Sequence, residues 1–116
     1  MTEIRDPAQL GATLLAAING ADLEGVVECY TADATLELPD GTIVTGHDGI
    51  RAFYSELLTS RPHFEPGQAA PVLIHDDIAL TTARIGDTAT AEVARRQDDG
   101  TWRWILDRPN VMLDRR

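Results

Sequence analysis

The polar side chains that could perform chemistry in this sequence are few, and one aspartate stands out. Asp107 comes late in the segment DGTWRWILD, near the end of the last predicted strand. If this carboxyl group points into an apolar interior, desolvation raises its pKa, which suits a general base or a general acid. Arg84, diagonal to Asp107 in the register derived below, offers a neutralising ion pair instead. Asp107 is therefore predicted to be a structural ion-pair partner, a ligand anchor or a catalytic residue.

The other chemically capable residues favour structural roles. His47 falls in the first turn of a predicted helix and His63 in a proline-bounded loop, so both are expected at the surface. In His75-Asp76-Asp77 the adjacent side chains diverge and a turn accounts for the aspartates, so no metal site is predicted. No Ser-His-Asp set, Cys-His set or glycine-rich phosphate loop is present. We therefore expect neither a metal nor a cofactor.

Composition narrows the class of protein. The 116 residues, 43% of them hydrophobic, suit one domain over residues 1–116. The formal charge of −9 argues against nucleic acid and anionic membranes as partners. No apolar run approaches the roughly 20 residues of a membrane span, and the first residues lack the features of a signal peptide. A single cysteine, Cys29, excludes an internal disulfide, so we expect a cytoplasmic protein with Cys29 as a small apolar side chain on a helix.

Three helices are predicted before residue 62. Asp6-Pro7 begins the first, and Asn19-Gly20 is expected to end it with a left-handed residue. Asp22 caps a short second helix, whose inward residues are expected to include Val27 and Tyr30. For the third helix, Thr45 and Asp48 fit a capping box and Pro62 provides a stop. Its apolar stripe is formed by Ile50, Phe53, Tyr54, Leu57 and Leu58.

Strands account for most of the remaining chain. Residues 34–38 and 42–45 flank the turn Pro39-Asp40-Gly41 and predict a hairpin. After residues 64–71, a loop or bulged edge, four strands are predicted over residues 72–75, 78–85, 88–97 and 102–107. Helices first and a four-strand meander last indicate an α+β fold with helices on one side of an antiparallel sheet.

The turn lengths fix a strand register. A three-residue turn at residues 98–100 pairs Ala94 with Trp104 and Val93 with Ile105, and a two-residue turn at Gly86-Asp87 pairs Leu80 with Val93. One face of the sheet then carries Leu80, Thr82, Arg84, Ala91, Val93, Ile105 and Asp107. The other carries Ala79, Thr81, Glu92, Ala94, Trp104 and Leu106. A slip of one residue would exchange the two faces.

The order of elements, together with YTADATLEL, TGHDGIRAFY and DGTWRWILD, resembles the NTF2-like superfamily over nearly the whole chain. Within it, the chain is most similar to small bacterial proteins of the SnoaL-like or DUF4440 type. The resemblance implies a cone in which a curved antiparallel sheet wraps over three N-terminal helices. It also implies a ligand cavity in the open end and a homodimer formed through the outer face of the sheet. Members include isomerases, cyclases, epoxide hydrolases, dehydratases and association domains, so fold alone does not assign function.

The resemblance also assigns the two faces. In the steroid isomerase branch the position matching Ile105 points into the pocket, which implies that the face holding Asp107 lines the cavity. The implied pocket consists of Leu14, Tyr30, Leu38, Tyr54, Leu80, Thr82, Arg84, Val93 and Ile105. The implied dimer contact consists of Trp104, Leu106, Ala94 and Ala79. SnoaL-type cyclases carry a catalytic aspartate on a late strand, and Asp107 is similar to it in placement.

The steroid isomerase activity itself is excluded by residue type. The resemblance puts Leu38 at the general-base position and Leu14 at the position of the oxyanion tyrosine, and leucine can neither accept nor donate a proton. The second oxyanion acid falls on Val93 or Glu92, depending on turn length. Three interpretations remain: binding of a small, mostly apolar molecule, a cofactor-independent cyclase or isomerase with Asp107 as base, and a dimeric association domain without a ligand.

Overall fold

The computed structural model describes residues 3–112, which form three α-helices and nine strands in this part of the chain. A short 3₁₀ turn at Pro7–Gln9 leads into α1 (Leu10–Asn19), which is followed by α2 (Leu23–Val27) and α3 (His47–Leu58). The strands are β1 (Tyr30–Glu37), β2 (Ile43–Thr45), β3 (Gln68–Ala69), β4 (Leu73–His75), β5 (Ile78–Thr81), β6 (Ala83–Ile85), β7 (Thr88–Ala89), β8 (Ala91–Arg96) and β9 (Trp102–Arg108). Among the described residues, no helix has the length and apolar character that crossing a bilayer requires.

The first two helical segments begin at the predicted aspartate caps, Asp6 and Asp22, but their ends differ from the prediction. The carboxylate of Asp6 accepts a hydrogen bond from the Ala8 amide at 3.0 Å, which confirms this cap. The left-handed residue after α1 is Ala21, with φ of 54°, rather than Gly20. The second helix ends at Val27, so the prediction that it contains Tyr30 was wrong. Tyr30 instead begins β1, where pairing with Trp104 of β9 overrides the local helical pattern.

The third helix has the predicted stripe but different ends. Ile50 and Tyr54 are fully buried, and Phe53, Leu57 and Leu58 pack half-buried against the core. The predicted capping box does not form, because Gly46 is the residue that precedes the helix and no side chain caps it. With φ of 90°, Gly46 occupies a conformation that favours glycine. The helix ends at Leu58, four residues before Pro62.

The main sheet has the strand order β2-β1-β9-β8-β5-β4, and only β1 and β9 run parallel among its neighbouring pairs. A second sheet has the order β3-β6-β7. The predicted strand over residues 78–85 breaks at Thr82, and the one over residues 88–97 breaks near its start, at Thr90. The two short strands next to the connecting turn, β6 and β7, pair with each other, and β6 also pairs with β3. The α+β prediction is confirmed, with helices packed on one side of a curved sheet.

A β-bulge decides which side chains face the helices. Ala94 pairs with Trp104 as predicted, but the register shifts between Val93 and Ala94, so that Val93 pairs with Leu106 and Glu92 with Asp107. The extra residue, Ile105, is half-buried within the bulge. Because a bulge inserts one extra residue, the side chains beyond it point to the opposite face from the one that a regular strand would give them. Asp107 therefore lies on the same face as Trp104, whereas a regular register would have separated them.

The predicted assignment of the two faces was consequently wrong. Ala79, Ala94 and Trp104, predicted to form an outer contact, lie in the core, and Trp104 is only 3% exposed. Leu80, predicted to line a cavity, is 41% exposed, and its partner Val93 is half-buried on the outer face. Among the four residues predicted to form the dimer contact, Leu106 is the one that lies on the outer face, where it is 50% exposed.

Candidate functional site

Asp107 is buried and held by a chain of two tyrosines. Its Oδ2 accepts a hydrogen bond of 2.5 Å from the Tyr30 hydroxyl, and that hydroxyl lies 2.8 Å from the hydroxyl of Tyr54. The carboxyl group is 7% exposed. Each member comes from a different element: β9, β1 and α3. The Tyr30–Asp107 contact follows from the parallel pairing of β1 with β9, and Tyr54 reaches it from the buried stripe of α3.

A second carboxyl group lies directly across the sheet. Glu92 of β8 pairs with Asp107 of β9, points to the same inner side and is 8% exposed. Its Oε1 accepts a hydrogen bond of 2.5 Å from the Thr81 hydroxyl. The Thr81 oxygen in turn accepts one of 3.1 Å from the indole Nε1–H of Trp104. The inner face thus holds two hydrogen-bonded chains that end on opposed carboxyl groups.

Burial raises the pKa values of this cluster. The pKa of Asp107 is raised to about 7, mainly by burial and also by the charge of Glu92, against the lowering effect of the Tyr30 hydrogen bond. The pKa of Glu92 is raised mainly by burial. Burial and the Asp107 charge also raise the pKa of Tyr30 and the pKa of Tyr54, so both phenols keep their protons. Near neutral pH, Asp107 can therefore both accept and donate a proton.

The two chains differ in whether their hydrogen bonds can reverse. An indole nitrogen can only donate, so the Thr81 oxygen accepts from Trp104, and the Thr81 hydroxyl donates its own hydrogen to Glu92. Both phenols can donate or accept, so the Tyr54–Tyr30–Asp107 chain can run in either direction. The Tyr30 hydroxyl can accordingly donate to Asp107 or to Tyr54, whereas Glu92 receives a fixed donor.

The predicted ion pair between Arg84 and Asp107 does not form. Arg84 is exposed on β6, opposite Gln68 and Ala89. The ion pairs of residues 3–112 on the sheet join Arg95 with Asp33 and Arg108 with Glu37, and none involves Asp107 or Glu92. This leaves the two carboxyl groups without a cationic partner in the described part of the chain, which is consistent with their raised pKa values.

The other predicted pocket residues are only partly brought together. Tyr30 and Tyr54 contact the Asp107 cluster, and Leu14 and Leu38 pack half-buried against the core. Thr82 lies half-buried at the break between β5 and β6. Two surface clefts of about 380 Å³ and about 80 Å³ lie near residues 96–100 and near residues 99–103, and neither is lined by Asp107. The predicted cavity is not one of these clefts.

The remaining candidate residues fall outside the cluster. His47, predicted to be exposed, is half-buried, and its Nε2 lies 2.8 Å from the Tyr30 carbonyl oxygen, which joins α3 to β1. His63 and His75 are exposed. Burial raises the pKa of Cys29 to about 12, so its thiol stays protonated. Within residues 3–112 no three His, Cys, Asp or Glu side chains group in a way that could hold a metal ion.

Three residues of the cluster escaped the sequence prediction. Glu92, Thr81 and Trp104 were placed on the outer face, because a regular register groups them opposite Ile105 and Asp107, and the resemblance assigned the face of Ile105 to the cavity. The available signal was side-chain size: burying Trp104, the largest apolar side chain on either face, selects the face that also carries Glu92 and Thr81. Choosing the face by that rule would have found Glu92 and Thr81, but it would have placed Asp107 outside.

Comparisons with known proteins agree on the fold. A protein from Thiobacillus denitrificans named as a calcium/calmodulin-dependent protein kinase type II association domain is similar, with a TM-score of 0.76 and 18% identity over 92% of this chain and 95% of that one. A ketosteroid isomerase-like protein from Erwinia carotovora has a TM-score of 0.69 and 20% identity over 86% and 88%. An NTF2-like protein of unknown function from Pseudomonas putida has a TM-score of 0.68 and 18% identity over 86% and 80%.

These identities establish a shared fold and leave activity open. Among curated proteins, no relative matches this chain. The family comparison is more specific, because residues 12–107 match the SnoaL-like domain. That match extends from α1 to Asp107 and includes both hydrogen-bonded chains. The chain therefore belongs to the SnoaL-like domain family, within the NTF2-like fold.

Proposed function

We propose that this protein binds a small, mostly apolar molecule through one polar group at Asp107. The observation that supports the proposal is the state of the carboxyl group: Oδ2 is held by Tyr30, while Oδ1 makes no hydrogen bond to the described residues. Every fully buried side-chain nitrogen or oxygen in residues 3–112 has a hydrogen-bond partner, so Oδ1 retains some contact with the surface. A ligand hydroxyl could take that position.

The surroundings favour an apolar ligand body. Half-buried apolar side chains from the helices and neighbouring segments pack against the core, among them Leu14, Leu38, Phe53, Leu57 and Val72. Neither surface cleft is lined by Asp107, so a ligand that reaches Oδ1 would bind outside these clefts, with some rearrangement of nearby side chains. Apolar area removed from water on binding contributes about 25 cal/mol per Å², which can offset that rearrangement.

A pair of matched probes tests this site. 2-Naphthol can donate a hydroxyl hydrogen to Asp107, and 2-methylnaphthalene has the same shape without a donor. At pH 8.5, where Asp107 is ionised, we expect 2-naphthol to bind more tightly, and Asp107→Asn to weaken its binding by roughly 10- to 100-fold, as for a lost hydrogen bond to a charged group. Binding of 2-methylnaphthalene should not change. Asp33→Asn, at an exposed aspartate, is the control variant. Fluorescence titration showing equal affinities for both probes would contradict the proposal.

An enzymatic role is the second candidate, supported by the pKa of Asp107 near neutrality and by the reversible tyrosine chain. Asp107 would remove a carbon-bound proton from an apolar ketone without a cofactor. The probe is 2-tetralone in deuterium oxide, whose α-hydrogen exchange is followed by proton NMR. We expect the protein to accelerate exchange and Asp107→Asn to abolish the acceleration while 2-tetralone still binds. The same exchange rate with wild type, with the variant and without protein would exclude this role.

A dimeric association role is the third candidate, supported by an apolar row on the outer face. Leu73, Leu80, Val93 and Leu106 pair in direct succession across β4, β5, β8 and β9. Leu73 is 68% exposed, and Leu80 and Leu106 are also exposed. Two ion pairs, Arg95 with Asp33 and Arg108 with Glu37, neutralise part of the charge of this sheet, although the chain carries −9. The proposed occupant is a second copy of this chain, whose identical row would meet it across a two-fold axis.

Sedimentation separates this role from the others. We expect wild type to sediment as a dimer and the double variant Leu80→Asp/Leu106→Asp as a monomer with an unchanged circular dichroism spectrum. Ile43→Asp is the control, because Ile43 is an exposed apolar residue on β2, outside the row. The Thiobacillus denitrificans relative named as an association domain is consistent with this role. A monomeric wild type, or a dimer that survives the double substitution, would contradict it.

A further inference from the structure

The proposed ligand site uses one carboxyl group, and the structure places a second directly beside it. Glu92 and Asp107 are paired residues on adjacent strands and point to the same side. Carboxylates directly opposite each other repel, and the low dielectric of an interior strengthens the repulsion. No cation of residues 3–112 forms an ion pair with either group. One proton shared by the pair removes most of this repulsion, so its location matters.

We propose that Glu92 is a positioning residue of the site: the Trp104–Thr81 chain holds Glu92 as the ionised acceptor, so that the proton of the carboxyl pair resides on Asp107. This inference rests on the proposed ligand site at Asp107. It assigns to Glu92, Thr81 and Trp104 a part in setting the protonation of the group that meets the ligand.

The direction of the hydrogen bonds carries the assignment. The Trp104 indole can only donate, so the Thr81 oxygen accepts and its hydroxyl hydrogen points at Glu92 Oε1. A proton on Glu92 is thereby excluded from Oε1 and restricted to Oε2. Asp107 has no such restriction, since Tyr30 and Tyr54 can both reverse their hydroxyl groups. A proton can therefore occupy either oxygen of Asp107.

The other titratable groups near the pair do not compete for this proton. Tyr30 of β1 and Tyr54 of α3 contact the cluster as neutral phenols, and burial keeps the Cys29 thiol protonated. The charge of Glu92 contributes to the raised pKa of Asp107.

Carbon-13 NMR of the side-chain carboxyl groups tests the order of titration without any ligand. Asp107→Asn and Glu92→Gln assign the two resonances. We expect Glu92 to titrate at lower pH than Asp107, and Glu92→Gln to lower the pKa of Asp107 because a neighbouring negative charge is removed. If Asp107 titrates before Glu92, or if Glu92→Gln leaves Asp107 unchanged, the assignment is overturned.

Variants of the donor chain test its cause. Trp104→Phe removes the indole donor, so Thr81 can turn and Glu92 can be protonated on Oε1. We expect the pKa of Glu92 to rise by about 0.5 to 1 and that of Asp107 to fall. Trp102→Phe is the matched control, because Trp102 is also buried on β9 but makes no such hydrogen bond to Thr81. Unchanged titration in Trp104→Phe would overturn the role of this chain.

Two substitutions of Thr81 test the same chain if the Trp104→Phe variant does not fold. Thr81→Ser keeps the hydroxyl and should preserve both pKa values, whereas Thr81→Val removes the donor to Glu92 and should raise its pKa. Identical titrations in these two variants would overturn the proposal. All of these measurements use the free protein, so they can fail while 2-naphthol binding still depends on Asp107. Conversely, loss of the proposed ligand site would leave the titration order unaffected.

Discussion

The two faces of strands β5, β8 and β9 differ in an unusual way. The inner face, which packs against the helices, carries two carboxyl groups and a threonine beside its tryptophan. The outer face carries a row of leucine and valine side chains with substantial exposure. Sheets with one face in water normally place apolar side chains inside and polar ones outside.

The two faces differ in how their unexpected side chains, carboxyl groups inside and leucines outside, are accommodated. Inside, hydrogen bonds from Thr81 and Tyr30 compensate the buried carboxyl groups, so the cost of burial appears mainly as raised pKa values. Outside, the described residues cover Leu80 and Leu106 only in part. Polar groups inside point to a ligand or a proton transfer, and apolar groups outside point to a partner.

The largest expected effect is the difference in the free energy of unfolding when a charged residue is introduced on each face. Trp104→Arg places an unpaired charge in the core and removes a large buried side chain, so we expect a loss of about 4 kcal/mol or more, which prevents folding. Leu80→Arg, on the outer face, should change the free energy of unfolding by less than about 1 kcal/mol. Urea denaturation at low protein concentration measures both. Comparable losses would show that the faces are assigned incorrectly.

The next effect concerns the inner face alone and depends on pH. Asp107 holds its proton up to about pH 7 in the folded state, whereas an unfolded aspartate releases it near pH 3.9. The folded state therefore binds more protons between these values, and Asp107 lowers stability as pH rises through this window. The full difference is on the order of 4 kcal/mol above pH 7.

Asp107→Asn removes this dependence because an amide does not titrate. We expect the free energy of unfolding of the variant, relative to wild type, to increase steadily from pH 4 to pH 7 and to level off above it. Denaturant titrations at several pH values measure the difference. A constant difference across this range would show that Asp107 is not buried as an acid.

The smallest effect compares two threonine hydroxyl groups. Thr81→Val leaves the Trp104 indole and Glu92 without their shared partner, and we expect a loss of about 1–3 kcal/mol. Thr35→Val removes a 3.3 Å contact with Thr45 at an exposed pair and should cost less than about 0.5 kcal/mol. Thermal denaturation distinguishes the two. Equal losses would mean that the inner chain contributes no more than a surface contact.

The features that depend on near neighbours in the chain could be predicted from residue types alone. The Asp6 cap, the apolar stripe of α3 and the Pro39-Asp40-Gly41 turn were all predicted, because each depends on residues within one or two turns of chain. The pairing of Ala94 with Trp104 was predicted too, since it lies close to the turn that sets it. The resemblance supplied the α+β architecture and pointed to Asp107, Tyr30 and Tyr54.

The side of the sheet that each residue faces depends instead on long-range packing. The bulge at Ile105 reverses which face the following residues of β9 point to, and no local sequence propensity predicts it. In a regular strand, Trp104 and Asp107 would point to opposite faces of the sheet. Burial of the Trp104 ring and the contact of Asp107 with Tyr30 both require the inner face. One extra residue in β9 satisfies both. Because a shift of a single residue exchanges every side chain between core and solvent, long-range packing selected the inner face and assembled the carboxyl pair.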